Sequence, residues 1–267
     1  VSRDVANLAY TKNVKKVFLW LHDIVPVSEA AGAVAIQYHK TKFKKVICLC
    51  GWHAENVKTK YNVPENFMAI SRNSIETARF TRRPAKIPFR FVYASAPDRG
   101  LEFLLKMMPR IKDEFPKTTL HVFADLPMQL ESYRKMKDFI DSSDYITLRG
   151  RVSQREIAHE FLISDVWLYP TDFTETYCIT ALEAQAAGLL CACSGLAALK
   201  EIVGSRGVVV PGDIREKDVM DELHNSLAKV LRDPKKKQEL TEQARSWALR
   251  QGHDELAREW RRDLFGL

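Results

Sequence analysis

The strongest constraint on the fold is a helix of small residues that the sequence places between two apolar strands. The strands are predicted at residues 165–170 and 189–193, and residues 174–188 lie between them. A strand, loop, helix and strand in this order indicate parallel pairing in an α/β protein. Such a unit opens its loop at the carboxyl edge of the sheet, where α/β proteins bind their ligands. A ligand site is therefore predicted at the start of the helix.

Two carboxylates, Glu175 and Glu183, stand eight residues apart in this segment. On a helix, that spacing corresponds to about 12 Å of rise and about 80° of rotation, which predicts Glu175 in the loop and Glu183 two turns deeper in the same crevice. The amides of Thr176, Tyr177 and Cys178 are predicted at the helix start, where free N–H groups and the helix dipole stabilise a phosphate. An anion cradle beside two hydroxyl-binding carboxylates suits a sugar joined to a nucleotide.

Each carboxylate also has a simpler interpretation, because a single Glu on a helix is usually a solvated surface residue. Glu183 fits that interpretation poorly, since its neighbours are largely alanine and leucine and leave little polar face. A carboxylate buried on so apolar a helix needs a partner. The two residues together favour a functional site.

Three further segments, together with this E-x7-E pattern, resemble a known enzyme family. Residues 93–101 read YASAPDRGL, residues 150–153 read GRVS, and residues 201–213 read EIVGSRGVVVPGD. In this order they are similar to the first loop of the donor domain, the base-contacting turn and the closing strand of family 4 glycosyltransferases (glycosyl transferases group 1). That family consists of retaining enzymes with the GT-B fold, and the resemblance covers roughly residues 14 to 215.

The resemblance implies roles for the residues of the E-x7-E segment. Glu175 would contact the hydroxyls of the donor sugar, and Glu183 would contact those of the ribose. Thr176, Tyr177 and Cys178 would supply amides to the sugar and the diphosphate. The resemblance gives catalytic roles to Glu175, His22 and Arg99, and Glu175 would position the donor rather than act as a nucleophile.

The other matched segments imply further site residues. Arg99 would neutralise the leaving diphosphate through two-pronged hydrogen bonds, with helix capping or simple exposure as the alternatives. Ser95 stands close to where many relatives carry a second arginine, so the loop would bind the donor phosphates differently here. His22, at the end of a predicted strand, matches a histidine that relatives project toward the sugar and phosphate; a structural hydrogen bond is its alternative. The base would be contacted by a turn formed by Gly150, Arg151 and Val152.

The alternation of strands and helices along the chain predicts an α/β protein with two Rossmann-like domains and parallel sheets, in a GT-B-like arrangement. Residues 1–84 are predicted to form a partial N-terminal, acceptor-side domain, truncated because it supplies only about three strands. Residues 85–250 are predicted to form the nucleotide-sugar donor-binding domain, after a basic, proline-containing linker at 82–88. Residues 251–267 are predicted as a helix that packs back toward the first domain.

Composition narrows the cofactors and partners. The chain has a formal net charge of +7, which suggests an acidic ligand or contact with anionic lipid headgroups, although basic clusters usually only solubilise a surface. Nucleic acid binding lacks a supporting motif. The sequence contains no Asp-x-Asp motif and no paired C-x2-C knuckle, so we predict no required metal or other cofactor. The five cysteines are predicted as core thiols, which indicates a reducing, cytoplasmic compartment. Peripheral contact of the protein with a membrane is a separate prediction.

These observations predict a retaining, metal-independent, hexosyltransferase-like enzyme of glycan biosynthesis. It would move a sugar from a UDP- or GDP-type donor to a hydroxyl acceptor on a glycan, a lipid or a protein-linked sugar. A first alternative is a non-catalytic nucleotide-sugar-binding subunit or fragment that needs a partner chain to complete the acceptor domain. A second is another GT-B enzyme, such as a phosphorylase or a sugar-nucleotide epimerase, and a third is a scaffold that has lost the site. Self-association is a separate expectation, because a truncated first domain would leave a parallel sheet edge open.

Overall fold

The chain divides into two compact α/β units. The computed structural model describes residues 17–24 and 43–266. Unit 1 contains the described residues up to Asn73 together with Thr174–Tyr177, and unit 2 contains Ser74–Phe173 and the chain from Cys178 onward. Parallel sheets in both units confirm the predicted fold class.

Unit 1 is a small parallel sheet with a helix packed against it. Its described strands are β1 (Val17–Trp20), β2 (Phe43–Cys48) and β3 (Met68–Ile70), paired in the order β1-β2-β3. Helix α1 (Gly51–Tyr61) covers them and buries Val57 and Tyr61 against the strands. The sequence also predicts a helix at residues 29–39, and this segment lies outside the described residues.

Unit 2 contains a six-stranded parallel sheet whose order reverses in the middle. From edge to edge the order is β6-β5-β4-β7-β8-β9. The strands are β4 (Arg90–Tyr93), β5 (Thr119–Val122), β6 (Ile146–Leu148), β7 (Val166–Tyr169), β8 (Leu190–Ser194) and β9 (Val208–Val210). This is the doubly wound order of dinucleotide-binding proteins, with its topological switch point between β4 and β7. The switch point predicts a ligand crevice at the carboxyl ends of these strands.

Helices cover the faces of this sheet and bury apolar residues against it. They are α2 (Leu101–Glu114), α3 (Glu131–Asp141), α4 (Gln154–Ile163), α5 (Ile179–Ala187), α6 (Leu199–Ile202), α7 (Lys217–Leu231), α8 (Pro234–Ala248) and α9 (His253–Glu259), followed by π-helical turns at Trp260–Phe265. The largest buried side chains include Trp167, Tyr93 and Phe161. Among the helices that the structure describes, none is long and apolar enough to cross a membrane.

The first residues of unit 2 precede the boundary that the sequence suggested. The units divide between Asn73 and Ser74, whereas the sequence placed the boundary after residue 84. The segment between these positions is part of unit 2, since Ile75 pairs with Gly252 and Phe80 is fully buried. The prolines that suggested a linker follow a segment that is already packed. The C-terminal segment also belongs to unit 2, and its contact with the first domain stays a prediction.

Two cations hold the carboxyl end of α5. The Arg245 guanidinium donates to the carbonyl oxygens of Phe80 at 2.8 and 2.9 Å and of Ala186 at 2.6 Å. Lys86 Nζ donates to the carbonyl oxygens of Ala187 at 2.8 Å and Phe161 at 3.1 Å, and burial lowers the pKa of Lys86 to about 8. Cations in this position offset the negative end of the helix dipole. They join α5 to the segment that opens the unit.

The cysteines are buried, as the sequence predicted for core thiols. No disulfide joins any of the five, which are Cys48, Cys50, Cys178, Cys191 and Cys193. Burial is the main cause that raises the pKa of the Cys48 thiol to about 12, which makes it a poor nucleophile. A reducing compartment stays a prediction.

Replacing Arg245 with methionine should destabilise unit 2 by about 3 kcal/mol, because several buried carbonyl groups would lose a charged donor. The free energy of unfolding in urea measures this change. Arg250→Met, at an exposed position near the end of the same helix, should change it by less than about 0.5 kcal/mol. Equal effects of the two substitutions would show that the buried hydrogen bonds of Arg245 contribute little.

Candidate functional site

A cavity opens at the carboxyl ends of the strands of unit 2. Its volume is about 400 Å³, and it is lined by the loops after β4, β5 and β6 and by helices α4 and α5. The predicted donor-binding residues Ser95, Arg151, Val152 and Glu183 all line it. The structure therefore brings together residues that are far apart in the sequence, at the switch point where a ligand is expected.

The turn after β6 is shaped by a carboxylate that the sequence analysis missed. Gly150 has a φ of +65°, and the next backbone N–H, that of Arg151, donates to Asp125 Oδ1 at 3.1 Å. Ser153 then begins α4 in a capping box with Glu156. Asp125 also lines the cavity. The signal that could have found it is its position directly after the largely apolar segment 119–124, which contains β5; His22 was singled out by a similar position at the end of a strand.

The loop after β4 leaves the sheet against the loop after β7. Gly100 has a φ of +97°, and a Cβ atom built there would lie 2.2 Å from the carbonyl oxygen of Pro170. Only glycine permits this approach. The loop is further shaped by Tyr93, whose hydroxyl donates to Ala96 O at 2.7 Å. Ser95 lies 3.4 Å from the hydroxyl of Tyr169, at the edge of the cavity.

Arg99 is half-buried in the same loop. Its guanidinium carbon lies 4.1 Å from the centroid of the Phe173 ring. The cap position of α2 is occupied by Gly100 rather than by Arg99. The contact of Arg99 with a diphosphate stays a prediction.

Glu183 projects from α5 into the cavity and is half-buried. Burial raises the pKa of its carboxyl to about 7, and the Arg79 guanidinium acts in the opposite direction. Arg79 is itself paired with Glu76 at 2.6 Å. At neutral pH both protonation states of Glu183 are thus accessible, and the ionised state accepts hydrogen bonds from hydroxyl groups.

The start of α5 differs from the prediction. The first helical hydrogen bond runs from Leu182 N to Cys178 O, and Cys178 is the cap residue with an extended backbone. The amides at the amino end of the helix are therefore those of residues 178–181, whereas Thr176 and Tyr177 precede the helix and belong to unit 1. The predicted anion cradle thus moves along the chain, toward Thr180, which lines the cavity.

His22 and Glu175 lie in unit 1, where the Thr176 side chain links the two segments that carry them. The Thr176 hydroxyl donates to His22 O at 2.6 Å, and the Cys50 thiol donates to Thr176 O at 3.5 Å. Glu175 is buried, with 6% of its surface exposed. The His22 ring lies 4.2 Å from the ring of Trp20. The polar segments that the sequence singled out at residues 22 and 175 are therefore neighbours within this unit.

Within residues 17–24 and 43–266, no group of three or more His, Cys, Asp or Glu side chains is arranged to hold a metal ion. The buried His53 accepts a hydrogen bond from Leu49 N at Nδ1, and burial lowers its pKa to about 4. It is a neutral core residue at physiological pH. Metal independence of the chemistry stays a prediction.

The parallel sheets and the cavity at the switch point define an α/β protein with a GT-B-like fold, and comparison with known proteins gives the family. Residues 77–247 match the model of the family described as glycosyl transferases group 1. Because this match covers more than half of the chain, the protein belongs to that family. No curated protein sequence matches the chain significantly.

Solved structures with the same fold include glycosyltransferases of low sequence identity. Anabaena Alr3699/HepE in complex with UDP is 15% identical, with a TM-score of 0.81 over 98% of this chain and 75% of that one. Sucrose-phosphate synthase from Thermosynechococcus elongatus is 16% identical, with a TM-score of 0.75 over 98% and 71%. The pneumococcal O-GlcNAc transferase GtfA, in complex with UDP and GlcNAc, is 14% identical, with a TM-score of 0.73 over 94% and 52%. The chain thus spans about half the length of GtfA.

Glu183→Gln should stabilise the protein at pH 8 and leave it unchanged near pH 4. Burial raises the pKa of Glu183 in the folded protein to about 7, so the folded state favours the protonated carboxyl. This contribution to the folding stability is complete below the unfolded-state pKa and is lost as the pH rises through about 7. The gain at pH 8 should be about 2 kcal/mol, measured by urea unfolding at both pH values. Glu222→Gln, at an exposed position on α7, should show no such difference. A pH-independent effect at Glu183 would contradict the burial of its charge.

Proposed function

We propose that this chain is the donor-binding part of a retaining, metal-independent glycosyltransferase of family 4. It would transfer a sugar from a nucleotide diphosphate-sugar to a hydroxyl acceptor. The observation that carries the proposal is the convergence of Ser95, Arg151, Val152 and Glu183 on one cavity at the switch point of the sheet. Family membership through residues 77–247 supports it, as do the UDP complexes of HepE and GtfA.

The cavity suits the nucleotide end of such a donor. The rigid turn at Gly150, Arg151 and Val152 would meet the base edge with its backbone, held in place by Asp125. The ionised Glu183 would accept hydrogen bonds from the ribose hydroxyls. Uridine is the base to test first, because the neighbouring structures were solved with UDP, and guanosine is the second.

Other groups would hold the diphosphate and the sugar. Arg99 and the amides of residues 178–181 would stabilise the negative charge of the departing diphosphate. By resemblance, Glu175 and His22 would contact the sugar. The buried carboxylate of Glu175 would serve as a positioning group.

The reaction would follow front-face attack. The bond between the anomeric carbon and the diphosphate oxygen breaks, and its electron pair leaves with the diphosphate. The acceptor hydroxyl oxygen bonds to the same face of the anomeric carbon, and its proton passes to an oxygen of the leaving diphosphate. Positive charge develops on the sugar and negative charge on the diphosphate, where Arg99 stabilises it.

Uridine diphosphate should raise the thermal stability of the chain without added metal. At 100 times its dissociation constant, a ligand stabilises by about 2.7 kcal/mol, which thermal unfolding detects. Glu183→Ala and Arg99→Ala should abolish or sharply reduce the shift. Glu222→Ala and Arg261→Ala, at exposed positions of unit 2, should retain it. The donor site would be wrong if no nucleoside diphosphate, including guanosine diphosphate, stabilised the wild-type chain.

Transfer or slow donor hydrolysis should proceed with retention of configuration and persist in excess EDTA. We expect the chain, given UDP-glucose, UDP-N-acetylglucosamine or GDP-mannose, to release the nucleoside diphosphate and the sugar in the donor's anomeric configuration. Proton NMR of the first product distinguishes the two anomers. Glu175→Gln should lower the rate by at least about tenfold while the affinity for the diphosphate stays within twofold. An inverted product, or loss of activity in EDTA, would contradict the proposed mechanism.

A non-catalytic subunit is the second candidate function. Its specific support is that the pneumococcal relative was also solved as a GtfA/B complex. In that case this chain would bind a nucleoside diphosphate but release no sugar until a completing chain is present. Cytoplasmic location, self-association and peripheral contact with anionic membranes are further proposals from the sequence.

A further inference from the structure

Arg99 lies against the ring of Phe173, a residue to which neither the sequence motifs nor the proposed function gives a role. The guanidinium carbon is 4.1 Å from the ring centroid, well inside the roughly 6 Å within which an aromatic face attracts a cation. Both side chains are half-buried. The contact joins the loop after β4 to the loop after β7, the two loops that flank the switch point.

Phe173 is itself connected to the sheet by a series of hydrogen bonds. Its backbone N–H donates to Thr171 Oγ1 at 3.0 Å. Thr171 is buried, and its backbone N–H and C=O both bond to the hydroxyl of Ser194, at 3.0 and 2.6 Å. Ser194 is the last residue of β8. These hydrogen bonds therefore hold the backbone of Phe173 to the sheet through Thr171 and Ser194.

The loop after β4, which carries Arg99, is also held in place by backbone contacts. Gly100 follows it directly and meets Pro170 O with no room for a side chain. Arg99 N donates to Ala96 O at 3.0 Å. Both partners of the cation–π contact thus stand on backbone that the sheet holds in place.

We propose that Phe173 is a positioning residue that presets the Arg99 guanidinium for the donor diphosphate. The inference rests on the proposed function, because it takes Arg99 as the diphosphate-binding group. An aromatic ring covers one face of a guanidinium, while the N–H donors lie in its plane and remain directed at the edge. Ordering a long side chain on binding costs affinity, and the contact with the ring removes part of that cost beforehand.

The test compares a nucleoside diphosphate with its monophosphate, since only the diphosphate carries the second phosphate assigned to Arg99. Phe173→Leu keeps an apolar side chain and removes the ring. By isothermal titration calorimetry, this variant should bind uridine diphosphate about three- to tenfold more weakly than the wild type. Its affinity for uridine monophosphate should be unchanged. Phe173→Tyr keeps the ring and should restore wild-type affinity for both, and the guanosine nucleotides are measured in parallel.

Two controls separate positioning from a general effect on the fold. Phe103→Leu removes another ring that faces a cation, Lys106 at 5.5 Å on α2, and should bind both nucleotides as the wild type does. In the Arg99→Ala background, Phe173→Leu should cause no further loss of diphosphate affinity, because the side chain it positions is absent. Should Phe173→Leu fail to fold, Phe173→Met provides the same measurement.

The outcomes separate this inference from the proposed function. Equal losses for the diphosphate and the monophosphate, or a further loss in the Arg99→Ala background, would overturn the positioning role. Unchanged diphosphate binding by Phe173→Leu would overturn it as well and leave the proposed donor site standing. If the wild-type chain binds neither nucleotide, the proposed function and this inference both fail.

Discussion

The close approach of two loop backbones at the centre of the six-stranded sheet is the constraint on which the candidate site depends. Strands β4 and β7 are neighbours at the switch point, and a Cβ atom at Gly100 would lie 2.2 Å from Pro170 O. Position 100 must therefore be glycine if the two loops are to leave the sheet as they do. The place of Ser95 at the cavity and of Arg99 beside Phe173 both follow from that path.

The candidate site also depends on helix α5, which is largely apolar and yet carries Glu183 into the cavity. Most of its residues are buried, and its carboxyl end is held by Arg245 and Lys86. Those cations fix the far end of the helix, so the amino end and Glu183 are presented to the crevice from a rigid support. The raised pKa of Glu183 is a consequence of the same burial.

Several site features could be predicted because each depends on local sequence. The apolar strands, the turn at Gly150 and the helix that carries Glu183 are all visible as short patterns, and the structure places them where parallel strands end. Asp125 was missed because its role is to accept from the Arg151 amide, a contact between two separate loops. The start of α5 was placed too early: Cys178 is the cap residue, with an extended backbone, and Thr176 lies in the preceding segment, where its hydroxyl bonds to His22 O.

By itself, the sequence determined the order of the strands and helices, because hydrophobic period and turn residues are local properties of the chain. It also determined the pattern that identifies the family. Only the tertiary structure decided that residues 74–84 belong to unit 2, that Asp125 supports the turn after β6, and that Phe173 lies against Arg99. Each of these depends on which segments meet after folding, and no local pattern records a contact between residues that are distant along the chain.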